Sequence, residues 1–404
     1  MNKTSMRRTT ATAICSMLAV SLAACGSSNS ASPKQATPAE SQDRQGQAPQ
    51  PIAPAAAGKD EAWKAEWSKI VEEAKKEGEV VIYSQPVPDR EASIMAFEKA
   101  YPDIKVKFTG MRPAQSAPRI VAEQKQGKYL SDLYFEVPPG TLPADTFINA
   151  DDYIVNPELR KDETWHGGYR KGFEMNNNTG MFGFAVLPTP TIYVNNDVIP
   201  EGEIKTIDDL LDPKYKGKII IATFDKAAQG SLSMTALYMM KGEDFVRKLS
   251  EDQQPGFTFD TRQIVEWWAT GKYPIAIGTG TANVRQFTER GIPKKFSKLE
   301  PPSYTATNPL TLLVLKNLPH PNAAKVFIDW FLSKEGQTTY VQNTKDFVSR
   351  RKDVPPVQGF SGFEKIDLSR SQFDAEGLKA MNWILEYGKK LEAKNAANTA
   401  NTAR

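Results

Sequence analysis

From about residue 60 onward the hydrophobic positions fall into two recurring periods. Trp63, Trp67, Ile70, Val71 and Ala74 repeat at helical spacing and stop before Gly78, which predicts an amphipathic helix with a glycine terminator. A short apolar run at residues 80–83 follows as a buried strand. Ile94, Phe97, Ala100 and Tyr101 mark a second helix that Pro102 ends, and Ile104, Val106 and Phe108 alternate as a second strand. Helix–strand–helix–strand order with strands this apolar predicts an α/β sheet covered on both faces. The pattern resumes at Ile219, Ile220 and Ile221, at a helix around residues 264–269, at residues 275–277 and at a long apolar strand over 310–315. A helix carrying Ala323, Ala324, Val326, Phe327, Trp330 and Phe331 comes next. Between the two stretches, residues 182–194 are apolar and β-rich but interrupted by Leu187, Pro188, Thr189 and Pro190, as expected of a strand crossing between domains. The length of 404 residues suits two domains of roughly 150 residues each, and no internal repeat is visible.

The first sixty residues follow another logic. Lys3, Arg7 and Arg8 precede an apolar run over residues 11–24, which has the length of a signal-peptide core and is too short to span a bilayer. The run ends in Leu22, Ala23, Ala24 and Cys25, which resembles the lipobox of bacterial lipoproteins. That resemblance implies lipidation of Cys25 and cleavage in front of it; the plainer alternative is an ordinary signal peptide with a chance cysteine. Arg7 and Arg8 are followed by Thr9 and Thr10, without the apolar continuation of a twin-arginine signal. Residues 25–60 are rich in Ser, Ala, Pro and Gln with almost no large apolar side chain, and read as a disordered tether.

Charge and cysteine content narrow the function. The chain carries 51 Lys+Arg against 48 Asp+Glu, a net +3. The three bases of the signal account for that excess, so the body is neutral and lacks the surplus a nucleic-acid partner requires. Of the two cysteines, Cys15 lies in the signal and Cys25 at its end. The body therefore has no thiol for a disulfide, a thiolate metal site or a cysteine nucleophile.

Several stretches of the body, in order, resemble bacterial extracellular solute-binding proteins of family 1, the capture subunits of ABC importers. They are residues 67–84 with 96–108; Thr191, Ile192, Tyr193, Val194 and Asn195; the run from Ile207, Asp208 and Asp209 through Asp212, Pro213, Lys214 and Tyr215 to Gly217 and Lys218; and Gly271, Lys272, Tyr273, Pro274, Ile275 and Ala276. His320, Pro321, Asn322, Ala323, Ala324 and Lys325, continuing to Ser333, with Glu335, Gly336 and Gln337, complete a match over roughly residues 62–355. The resemblance implies the type II periplasmic-binding-protein fold: two lobes, each a mixed α/β sheet flanked by helices, joined by crossing hinge strands. The expected division is signal peptide 1–24, tether 25–60, first lobe 61–187, second lobe 188–303, a return to the first lobe with the C-terminal helices over 304–390, and a frayed tail 391–404. It also implies a small molecule or ion chelate as ligand and permease and ATPase subunits as partners; with the lipobox and the charge balance, the expectation is a monomer lipid-anchored in the cell envelope, with no cofactor and no nucleic acid. Ferric-ion-binding relatives carry a tyrosine pair after the strand that corresponds to 275–277. This chain resembles that branch without the tyrosine pair, since Thr279–Asn283 contains no tyrosine; the departure argues against a bare ferric ion held that way and leaves iron within a chelate or an unrelated organic ligand open.

Ligands of open α/β sheets sit outside the carboxyl ends of strands, so candidate contacts lie in the loops there. Ser84 and Gln85 follow the first strand, where they would meet a ligand or cap the turn beginning at Asp89. Gln229, Gly230 and Ser231 open a helix after strand 219–222; their backbone N–H groups suit an anion, or Ser231 or Gln229 is a plain N-cap. Thr279 and Thr281 lie in a glycine-containing loop that lacks the third glycine of a dinucleotide fingerprint, which argues against a cofactor. Arg112, Arg262 and Arg285 are candidate clamps for an anion, whereas Glu136 would meet a cation. Tyr193 and Tyr304 are aromatic walls or core edge. His320 reads as a structural helix entry, and His166 as a loop residue.

Two rival functions carry no motif of their own. A secreted hydrolase would draw on the 48 acids, but the chain has no His-Glu-x-x-His, no Gly-x-Ser-x-Gly elbow and no P-loop, and only two histidines for a triad. A surface sensor or adhesin would use the same fold, and only its genomic neighbours would set it apart from an importer subunit.

Overall fold

A computed structural model describes residues 61–135, 142–226, 228–301, 303–305, 309–357, 360, 362–372 and 374–402. The expectations for the signal peptide, Cys25, the tether and Glu136 lie outside the described residues. The first lobe begins with α1 (Glu61–Glu77), β1 (Glu79–Ser84), α2 (Pro88–Met95), α3 (Phe97–Ala100), β2 (Lys105–Gly110), α4 (Pro113–Lys125), β3 (Leu133–Phe135), β4 (Phe147–Ile148), α5 (Lys171–Glu174) and β5 (Phe182–Val186). Gly78 sits at φ +74° immediately after α1, the left-handed conformation that makes glycine a helix stop. β1 pairs in parallel with β2 from Glu79↔Lys105 to Ser84↔Gly110, and on its other side with β3.

The chain then builds a second sheet from β6 (Ile192–Asn195), β7 (Ile219–Ala222), α6 (Gln229–Arg247), β8 (Gly256–Thr258), α7 (Thr261–Ala269), β9 (Ile275–Ile277), α8 (Thr281–Thr288) and β10 (Phe296–Lys298), in the order β10-β6-β9-β7-β8. It returns through β11 (Tyr304–Thr305) and β12 (Pro309–Leu315) to α9 (Pro321–Leu332), α10 (Lys334–Thr344), β13 (Val348–Ser349), β14 (Ile366–Asp367) and α11 (Ala375–Thr402). β12 inserts antiparallel between β3 and β5, so the first sheet runs β13-β5-β12-β3-β1-β2 with β4 also on β12. A strand from the far end of the sequence thus completes the first lobe.

α9 explains why that return is stable. Ala323, Ala324, Val326, Phe327, Ile328, Phe331 and Leu332 are all fully buried, because the helix lies between α1 and the sheet and has no solvent face. Phe331 meets Phe135 edge-on at 4.8 Å and Phe184 at 4.9 Å, pairs worth about 0.5–1.5 kcal/mol each beyond their burial. The buried Asp329 accepts the backbone N–H of Val155 and Asn156 at 3.0 and 2.7 Å, tying a loop to the helix. Burial pushes its carboxyl up to about 7 against those two bonds.

Two details differ from the sequence expectation. Residues 182–194 form two strands in different sheets, with the Leu187–Pro190 interruption as the crossing itself, since prolines cannot donate to a ladder. The tail beyond 390 continues α11 to Thr402 instead of fraying, and α11 packs on α6 of the second lobe. Trp383 stacks near Tyr238, Leu391 is buried, and Lys394 pairs with Glu251 at 2.7 Å, contacts that low-complexity composition does not reveal.

Candidate functional site

The site forms around α8, which follows the end of β9 and meets the first lobe. Gly278, at φ +83° after β9, lies so close to α6 that a Cβ there would come within 2.9 Å of the Gly230 Cα. A Cβ on Gly230 would in turn lie 2.3 Å from the Thr223 carbonyl oxygen and 2.4 Å from that of Ala222. Only glycine permits this approach of helix start, strand end and loop. The adjoining Thr279 is fully buried, and its Oγ1 has no hydrogen-bond partner among the described residues; the same lack holds for Oε1 of the half-buried Gln229 and, at the end of β1 in the other lobe, for Oγ of the buried Ser84. Buried polar atoms without partners are rare in folded proteins; here two stand at strand ends and the third at the start of α6.

α8 belongs to the second lobe but is bonded to the first. Its helix start at Gly280 has no side-chain cap of its own; instead the Thr281 N–H donates to Oδ1 of Asp346, from the turn between α10 and β13, at 2.9 Å. A carboxylate there complements the positive end of the helix. One turn on, Arg285 donates to Oδ2 of Asp89 at the start of α2, at 2.5 Å. Within the second lobe, the Tyr193 hydroxyl and the Thr281 Oγ1 share a 2.7 Å hydrogen bond.

Between these elements lies a cavity of about 490 Å³, within the range of small-molecule sites. The second lobe contributes Tyr193, Thr281, Arg285, Phe296 and Lys298 to its wall; the first contributes Asp346, Val357 and Phe360. Burial lowers the pKa of Lys298, opposed by the nearby Asp346 and Glu300. Burial also raises the Tyr193 phenol, opposed by its bond to Thr281. Among the described residues no group of three or more His, Cys, Asp or Glu side chains is placed to hold a metal ion.

Residues 92–361 match the family described as bacterial extracellular solute-binding protein. The chain belongs to that family. Its members serve as the solute-binding components of ABC importers and are binding proteins, not enzymes. Solved structures with the same two-lobed fold include a Bordetella ferric binding protein (16% identity, TM-score 0.58, covering 78% of this chain and 99% of that one). Trichodesmium IdiA (FutA), in complex with iron and citrate, aligns at 17% identity and TM-score 0.57 over 76% of this chain and 99% of that chain. Iron-bound HitA from Pseudomonas aeruginosa aligns at 16% and 0.54 over 78% and 99%. At these identities the likeness is one of fold.

In this solute-binding protein the candidate residues separate into groups. Tyr193, Thr281 and Arg285 line the 490 Å³ cavity. Gln229 and Gly230 line a smaller one of about 240 Å³ with Phe259 and with Glu392 of α11. Tyr304 is fully buried behind Phe360, ring centroids 5.5 Å apart, with no partner for its hydroxyl among the described residues. Ser231 is a cap: its Oγ accepts the Ala228 N–H and donates to the Ala228 carbonyl, each at 2.9 Å. Gln85 is half-buried next to Ser84, and Arg112 is exposed at the start of α4, outside both cavity walls. Arg262 follows Asp260, whose carboxylate accepts its N–H and caps α7.

Both histidines serve the fold. The His320 N–H and ring Nδ1 meet Asp132 at 2.7 and 3.0 Å at the start of α9, while His166 stacks on Phe363 at 4.2 Å. Sequence reasoning missed Lys298, Asp346, Phe296 and Phe360. Lys298 had one available signal, a lysine beside Leu299 at the end of a short strand that begins with Phe296. The others had none, because their role depends on the lobes being brought together.

Proposed function

We propose that this protein is a substrate-binding lipoprotein of an ABC importer, which encloses a small solute between its lobes and presents the closed form to a permease. The carrying observation is that one cavity has walls from both lobes, while α8 of one lobe is bonded to two carboxylates of the other. A ligand drives closure only by contacting both sides, and this cavity offers both. Ser84, Gln85, Tyr193, Gln229, Gly230, Thr279, Thr281, Arg285 and Tyr304 are the candidate contacts in or bordering the cleft. Cys25 carries the lipid, and residues 25–60 tether the body outside the cytoplasmic membrane. The reading involves no catalysis and no tyrosine-ligated bare ferric ion, since residues 279–283 contain no tyrosine. The test is a melting-temperature screen of the full chain against anions, amines, sugars and metal chelates: a bound solute raises the midpoint by mass action. Turnover of a hydrolase substrate would overturn it.

A further inference from the structure

We infer that the captured solute is a small organic anion with an apolar body, its carboxylate or phosphate ester seated against Lys298. This rests on the capture reading and adds the class of solute. The inference follows from pairing off the charges on the cavity wall. Arg285 is committed to Asp89 at 2.5 Å and also lies 3.8 Å from Glu289. Asp346 has one oxygen occupied by the start of α8. Lys298 has neither a carboxylate within 4.0 Å nor a hydrogen-bond partner among the described residues. Its ammonium lies 5.8 Å from the centroid of the Tyr304 ring, and Asp346 and Glu300 act on it from beyond ion-pair range. The exposed Lys345 on the opposite lobe adds a second positive charge to the same cavity. With Arg285 paired to Asp89, the wall carries Lys298 and Lys345 against Asp346 and Glu289, and neither lysine has a carboxylate within 4.0 Å among the described residues, which leaves both ammonium groups for a ligand.

A desolvated ammonium without an anion is costly, and an incoming carboxylate or phosphate relieves that cost. The depressed pKa of Lys298 agrees with this placement. The rest of the wall selects against a purely polar anion. Pro188, Val284, Phe296, Val357 and Phe360 supply apolar surface, and Phe296 is 44% exposed, large aromatic area that an apolar solute would cover. A cationic solute would face Lys298 and Lys345, and a neutral sugar would find few hydrogen-bonding groups along the Phe296–Phe360 side.

The test titrates the full chain with phenylacetate and glucose 6-phosphate, their neutral counterparts phenylacetamide and glucose, and the cation phenethylamine, following melting temperature and binding heat. We expect saturable binding of at least one anion and none of its neutral counterpart, with phenylacetate against glucose 6-phosphate distinguishing the headgroup. Lys298→Met should lower anion affinity about tenfold or more, while Lys298→Arg, which keeps the charge, should stay within a few fold. Tighter binding of the neutral or cationic probes, or anion binding by a folded Lys298→Met variant at wild-type affinity, overturns the inference. If amines, sugars or chelates bind and no anion does, the anion inference falls and capture stands. If nothing in this panel or the wider screen binds, both fall.

Discussion

Arg285 is the place to test whether α8 reports closure. Its guanidinium lies 2.5 Å from the Asp89 carboxylate, and the two side chains are 22% and 39% exposed, so water screens the pair only in part. Exposed pairs are worth about 0.2–1 kcal/mol, and this half-shielded one belongs near the upper end. Because the partners sit on different lobes, that energy bears on the open–closed equilibrium more than on the folding of either lobe. About 1 kcal/mol corresponds to a factor of about five, so Arg285→Ala should weaken binding of the captured solute up to about fivefold. Asp89→Ala should do the same, and the double variant should lose little more than either alone. Calorimetric titration of all four proteins measures the cycle, and urea midpoints confirm that both lobes remain folded. Fully multiplicative losses in the double variant would show that the two residues act independently and would refute the cross-lobe role.

Four further outcomes follow from the same geometry. Gly230→Ala should lower stability by about 1–3 kcal/mol in urea titration, because its Cβ meets backbone oxygens that cannot move aside without shifting α6 or β7. Arg350→Met should cost on the order of 3–5 kcal/mol: the buried guanidinium donates to the carbonyls of Gly183, His166 and Gly168, and its loss leaves all three without that donor. For Lys298, burial lowers the folded pKa, so stability from this group rises as pH climbs through that value; an anion bound there raises the pKa again, and titration calorimetry should find proton uptake and falling affinity on the alkaline side. Cys25→Ser should release the protein from membrane fractions, and full retention of that variant would refute the lipid anchor.

The architecture was legible where the chemistry is local. Apolar runs at 80–83, 219–221, 275–277 and 310–315 each became strands, because a strand covered on both faces admits almost nothing polar. The start of α6 was legible through Gly230 and Ser231, although Ser231 proved to be a cap, as short hydroxyl side chains at helix starts usually are. Long-range pairings carried no such signal. Asp346 reads as one acid in a polar turn, and only the apposition of α10–β13 with α8 makes it the cap of a helix 65 residues upstream. Asp89 looked like an ordinary helix-start acid, a role that does not exclude its bond to Arg285 across the cleft. Arg112 has the expected position after β2, yet its side chain is exposed, since strand order alone does not say which loop ends face the other lobe. α11 shows the reverse case: alanine- and asparagine-rich composition suggested fraying, while Leu391 and Lys394 hold the helix against the second lobe.

The central claim is enclosure of a small solute between two lobes, and the most direct measurement is the melting temperature of the full chain across anions, amines, sugars and metal chelates. The account predicts that one chemical class raises the midpoint by several degrees with a saturating concentration dependence, as about 2.7 kcal/mol of linkage at a hundredfold excess over Kd requires. No shift with any class would contradict it.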